Sequence, residues 1–143
     1  MSSMPNPLVP PAVQGIPSNL IPGFMEMDFS YPYTFSLTGN QTLLGQVVSI
    51  LIEADFLWRG LIFVSDGTFK ARFQDGQQYY TSPDFIYSTN MPNTAGDPFP
   101  IFPEIFYPAG GRITIDISDL SGTTNTGQIL FRGTSRYKVQ AAA

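Results

Sequence analysis

From Phe29 the chain alternates with a period of two. Phe29, Tyr31, Tyr33, Phe35 and Leu37 fall on one side, and Ser30, Pro32, Thr34, Ser36 and Thr38 on the other. This predicts a strand with one apolar face. Pro32 has no N–H to donate, so the strand belongs at a sheet edge or is paired on one side only. After a Gly39-Asn40 turn, residues 43–56 alternate again, with Val48, Ile50, Ile52, Ala54 and Phe56 on one parity. Val47 and Leu51 on the other parity predict burial of the first half on two sides.

Residues 61–64 and 69–73 flank Ser65-Asp66-Gly67-Thr68, and Asp-Gly between apolar runs predicts a hairpin. A second Asp-Gly, Asp75-Gly76, turns the chain into residues 77–81, and residues 85–88 read as a short strand. Residues 91–111 hold Pro92, Pro98, Pro100, Pro103 and Pro108 with three glycines, which predicts a long irregular crossing between sheets. Residues 112–118 place Ile113, Ile115 and Ile117 inward. A polar turn over 122–127 then leads to closing strands at 128–132 and 136–139. No stretch of ten residues shows the i, i+3, i+4, i+7 spacing of an amphipathic helix. Seven or eight short strands joined by hairpins and one long crossover predict an all-β fold, an antiparallel β-sandwich that is jelly-roll-like.

The first 25 residues differ from this body at 26–143. They carry no charged side chain, and Pro5, Pro7, Pro10, Pro11, Pro17 and Pro22 interrupt any helix or internal strand. The segment reads as an extended Pro-rich N-terminal arm, on the order of 70 Å long at about 3.1 Å per residue. Between its prolines stand Leu8, Val9, Val13, Ile16, Leu20 and Ile21, spaced as anchors for shallow pockets on a partner. A disordered tail is the plainer alternative. Ordering such an arm costs backbone entropy, so it binds effectively only when the body docks too and makes its binding intramolecular.

Charge sharpens this reading. The 143 residues include only 7 basic and 11 acidic side chains, against 12 Phe, 7 Tyr and 1 Trp. A compact body of this mass exposes roughly 7,000 Å², or about one charge per 400 Å². Large apolar surface should therefore remain uncovered after one sandwich has filled its core, and contiguous patches of that kind mark protein contacts. Phe99, Phe102, Phe106 and Tyr107 are the expected contributors on the body. Arg132 and Arg136, with Lys138, are candidates to pair across subunits with Glu26, Asp28 and Glu104; a solvated edge is the alternative. The net charge is −4 and the few basic residues form no block, so nucleic acid is not an expected partner.

Chemistry is scarce. With no Cys and no His, the chain lacks thiolate and imidazole nucleophiles, Ser-His-Asp triads and His-ligated zinc. Glu53 and Asp55, two apart on one strand face, are the best carboxylate pair for glycoside hydrolysis, but nothing marks a cleft, and the expectation is an outer face that becomes solvated as the strand leaves the core. Asp116 and Asp119 with Ser121 offer oxygen ligands for Ca²⁺ but lack the pattern of a dedicated loop, so turn chemistry is the expectation. Gly110-Gly111 reads as a tight turn, because no phosphate-loop motif follows. Trp58, Arg59, Tyr79 and Tyr80 are candidates for a sugar-binding platform or, alternatively, an ordinary aromatic cluster. No cofactor and no metal are expected. The start fits no secretory signal and no run approaches the roughly 18 apolar residues of a membrane span. The expectation is a chain that stays soluble in the cell that makes it, with no membrane partner, until it joins an assembly.

Three stretches carry a resemblance. They are Phe102-Pro103-Glu104-Ile105-Phe106-Tyr107-Pro108-Ala109-Gly110-Gly111-Arg112-Ile113, the strand Ile113-Thr114-Ile115-Asp116-Ile117, and Ile129-Leu130-Phe131-Arg132-Gly133-Thr134-Ser135-Arg136-Tyr137. Together they resemble the C-terminal half of small β-sandwich virion proteins of tailed bacteriophages, most of all capsid cement or decoration proteins. The resemblance implies a non-enzymatic protein that sits on the capsid exterior of the virion after assembly in the host cytoplasm. It implies docking on the major capsid protein and association with copies of itself as a dimer or trimer. A head-tail connector or tail-attachment component is the structural alternative, and a carbohydrate-binding module the alternative of another class.

Overall fold

The computed structural model describes residues 23–138. Eight strands run in chain order: β1 (Phe24–Leu37), β2 (Thr42–Ser49), β3 (Ala54–Ser65), β4 (Phe69–Phe73), β5 (Ile86–Tyr87), β6 (Phe99–Tyr107), β7 (Arg112–Asp119) and β8 (Asn125–Lys138), with a short 3-10 turn at Ser88–Asn90. They form two antiparallel four-stranded sheets, ordered β1-β8-β3-β6 and β2-β7-β4-β5. Every link between consecutive strands except β4 to β5 passes from one sheet to the other. The arm anchors Leu8, Val9, Val13, Ile16, Leu20 and Ile21 lie outside the described residues. Strand β1 already begins at Phe24, inside the sequence boundary set for the arm.

The core lies between the sheets. One sheet supplies Tyr31, Phe35, Leu37, Phe56, Trp58, Leu61, Ile129 and Phe131, and the other supplies Val48, Phe69, Ala71, Phe73, Ile113, Ile115 and Ile117. Trp58 is the centre of one aromatic cluster. Its ring meets Phe73 at 5.2 Å and Phe131 at 5.1 Å, both edge to face, the favoured geometry for quadrupolar rings.

Several expected elements are corrected. The Asp66-Gly67 loop does not close a hairpin, since β3 pairs with β6 and β8 while β4 pairs with β5 and β7. Both strands need to bury one apolar face, and they do so against each other across the core, with Phe63 and Phe69 edge to face at 5.0 Å. The loop is fastened to the start of β8 instead: Gly67 N donates to Asn125 Oδ1 at 3.0 Å and Asp66 N to Thr126 O at 2.9 Å. The run 43–56 is split where the chain changes sheets between β2 and β3. The residues read as two closing strands belong to one, β8, paired on both sides with β1 and β3. Residues 77–81 contribute only an isolated bridge, Gln74 to Tyr80.

The largest correction is β6, inside the stretch expected to be irregular. Its prolines are tolerated because, among the described residues, it pairs only with β3. Each of the four edges is unsuited to accept another strand. Edge strand β1 carries Pro32, β6 carries Pro100 and Pro103, β2 breaks its register between Leu43 and Gln46, and β5 has two residues.

Candidate functional site

Strand β6 shapes the candidate site. Its pairing with β3 runs from Tyr107 opposite Phe56 to Ile105 opposite Trp58, and resumes at Pro100 opposite Gly60. Arg59 alone therefore faces residues 101–104, and the extra backbone bows outward. Phe102, on the bow, is 93% exposed. An Arg59–Glu104 ion pair holds the foot of the bow, and Arg59 Nη1 also donates to Thr134 Oγ1 at 2.7 Å.

A groove of about 850 Å³ lies beside the bow, with Phe99, Phe102, Pro103 and Phe106 along one wall, Gly76 and Ile86 along the other, and Trp58 and Phe73 below. The second wall is fixed to β6. Tyr107 Oη donates to Gln74 O at 2.6 Å, and a Cβ on Gly76 would come within 2.3 Å of Phe106 O. The Asp75 carboxylate closes the turn by accepting from Gln77 N at 2.9 Å and Tyr79 N at 3.0 Å, an Asx turn.

Of the body residues expected to bind partners, Phe99, Phe102 and Phe106 share this groove. Tyr107 does not join them. It is fully buried in the core, and burial, followed by the nearby Asp75 charge, pushes its phenol well above the ordinary tyrosine range. Arg132 borders a smaller cleft of about 220 Å³ with Asp28, Arg59 and Thr134 on the outer face of the same sheet. Arg136 stands opposite Glu26 in the β1–β8 register and pairs with it at 3.1 Å. Arg136, Glu26 and Glu104, expected to pair across subunits, each have an ion-pair partner within the chain.

The other candidates resolve into structural roles. Trp58 is 1% exposed and its Nε1 donates to Gly60 O at 2.7 Å, so it presents no ring to a sugar. Asp55 accepts from Ala109 N at 2.9 Å and so fastens the β6–β7 turn, while Glu53 is exposed. Asp119 joins two loops and the start of β8 by accepting from Asn40 N at 2.8 Å, Gly122 N at 2.9 Å, Ser121 Oγ at 2.6 Å and Asn125 Nδ2 at 3.1 Å. Burial pushes its carboxyl up, but the donors from Ser121, Asn40 and Asn125 outweigh it and hold the group well below the usual carboxylate range.

Asp116 was legible as an outward residue of β7, but its burial was not. The Gly45 N–H at 2.8 Å, Arg72 Nε at 2.8 Å and Tyr80 Oη at 2.8 Å enclose it. Desolvation raises its proton affinity, and these three donors reverse the effect and lower it. The Arg72 guanidinium in turn lies 4.0 Å from the Tyr80 ring centroid and 4.9 Å from that of Phe85. The signal that reveals this cover, the irregular register of β2 at Gly45, is a property of sheet pairing rather than of local pattern.

No protein-family model matches the chain, no curated protein matches it, and no solved structure matches it.

Proposed function

We propose that this chain is a structural virion protein that decorates a phage capsid and stabilises it by bridging neighbouring major capsid protein subunits. The observation that carries the reading is the apolar β6 groove with Phe102 raised 93% into solvent, on a chain with few charges. A surface of that kind gains free energy by being covered. In this reading the role is non-enzymatic: the body associates with copies of itself on the capsid exterior, and the arm lies across adjacent capsid subunits. Burying apolar surface on two subunits at once resists their separation under the outward pressure of a packaged genome.

We read the eight strands as a jelly roll. The sheet order β1-β8-β3-β6 against β2-β7-β4-β5 supports this, since it is the order produced by two interleaved Greek keys, an architecture that recurs in viral capsid and lectin domains. The architecture alone is only analogy for function. The exposed apolar groove, the scarcity of charge and the resemblance of residues 102–113 and 129–137 to capsid cement proteins favour the capsid over the sugar.

The test is decoration of purified capsids by the full chain and by a chain lacking residues 2–22, read as copies bound per particle by sedimentation. The full chain should bind in hundreds of copies and the shortened chain should lose most of that binding. Around a dozen copies would favour the connector reading, and no binding to capsids would remove the proposal.

A further inference from the structure

We infer that the β6 groove is the receptor for the N-terminal arm, and that the stretch Pro7-Leu8-Val9-Pro10 of one copy seats in the groove of a neighbouring copy. The inference rests on that reading and deepens it: the neighbouring copy is named as what covers the groove and holds the tip of the arm, and the test below is made on the free protein, so it can fail while capsid decoration succeeds.

Chemistry gives the first reason. Aromatic-lined apolar grooves are how Pro-x-x-Pro segments are recognised: the preformed polyproline helix loses little entropy on docking, and its prolines and apolar residues pack on rings. The groove presents Phe99, Phe102 and Phe106 together with Pro100 and Pro103, and its volume of about 850 Å³ is of the size that takes short apolar ligands. Its carboxylates already have partners, Glu104 in Arg59 and Asp75 in the backbone N–H groups of its own turn, which suits an uncharged occupant. Residues 1–22 have no charged side chain and contain the Pro-x-x-Pro pattern at 7–10.

Geometry gives the second. The chain enters the sheet at Phe24 on β1, and the groove opens beside β6, the opposite edge of the same sheet. The start of β1 and the groove thus lie at opposite edges of the sheet, so copies set side by side bring the leading segment of one within reach of the groove of the next, a head-to-tail contact. The 12 residues between Pro10 and Gly23 reach about 37 Å when extended. A compact body of this size is roughly 35 Å wide, so the reach matches the step from one copy to its neighbour. The prolines of β6 also fit a receptor that binds through side chains, since they withhold the backbone donors that strand addition needs.

The chain has no cysteine, which makes the test free of background. Full-length Val9→Cys is mixed with full-length Gln77→Cys, an exposed position lining the groove that leaves its aromatic rings in place, oxidised mildly in dilute solution, and resolved on a non-reducing gel. A parallel mixture uses Val64→Cys, 67% exposed on β3, in place of Gln77→Cys. Thermal melts of the three variants establish that each is folded. The Val9/Gln77 mixture should give about tenfold more mixed dimer than the Val9/Val64 mixture, the gain expected when docking raises the local concentration of the two thiols. Excess synthetic peptide spanning residues 5–11 should abolish the difference. Equal yields in the two mixtures would overturn the inference. A Val9→Cys/Gln77→Cys double variant that closes only within one chain would also overturn it, by returning each arm to its own groove.

Discussion

Strands β8 and β6 belong to the same sheet, both flank β3, and they use that position in opposite ways. Strand β8 is paired along both sides, and at Gly133 the neighbouring backbone comes so close that a Cβ would sit 1.9 Å from Leu57 O. Strand β6 is paired on one side, interrupts its register opposite Arg59, and spends the freed backbone on an exposed phenylalanine. The contrast teaches where each kind of sequence irregularity belongs. Missing side chains serve a central strand that must be approached closely, and missing N–H groups serve an edge from which residues must project.

The sharpest way to break the comparison is Gly133→Val. In an ordinary strand valine is favoured over glycine, but here the added carbon collides with a backbone carbonyl that the rest of the sheet holds in place. We expect a loss of about 4 kcal/mol or more, seen as a collapse of the urea midpoint, whereas an unchanged midpoint would mean that β8 and β3 part easily.

Acid should give the next largest effect and should act at the β8 end before β6. Asp119 and Asp116, and Asp66 through its bonds from the Thr126 hydroxyl and N–H, are all held below the ordinary aspartate range in the folded state. Groups with depressed folded values contribute stability that is fully present above about pH 4, where the unfolded carboxyls ionise, and that is lost as pH falls further. With no histidine in the chain, thermal melts should change little between about pH 5 and 7 and fall steeply between about pH 4 and 2. Amide exchange should open first around Asn125, which bonds Asp119. A melting temperature that moves more above pH 5 than below pH 4 would contradict this.

The smallest expected effect is Phe102→Ala. A ring 93% exposed contributes little to the fold, so stability should stay within about 0.5 kcal/mol, while binding of copies to one another and to capsid should drop. A variant that destabilises the body as much as it weakens assembly would erase the division of labour between the two strands.

What was legible follows the same physics. Alternation in β1 gave the two faces correctly, because a half-buried strand writes its environment directly into a period of two; in β7 it gave the inward isoleucines, but Thr114, Asp116 and Ser118 on the other face are buried as well. Pro32 likewise announced an edge. Strand β6 was hidden because prolines at 100, 103 and 108 look locally like an irregular linker, and only the one-sided pairing with β3 makes them compatible with a strand. Asp66-Gly67 was misread because the turn preference is indifferent to whether the flanking strands lie side by side or face to face; the need of Phe63 and Phe69 to meet across the core decides it. At the groove, Phe99, Phe102 and Phe106 were visible as surplus aromatics, but Tyr107, next in sequence, was assigned to the wrong side because the bow that sets the parity of β6 comes from pairing with β3.

The four unreceptive edges have a consequence for crowding. Copies gathered at high local density, as on any repeating scaffold, ordinarily risk zipping their backbones into open-ended fibres. Here a proline, a slipped register or mere brevity denies each border a continuous row of donors, so copies that meet there meet through side chains and do not add strand to strand.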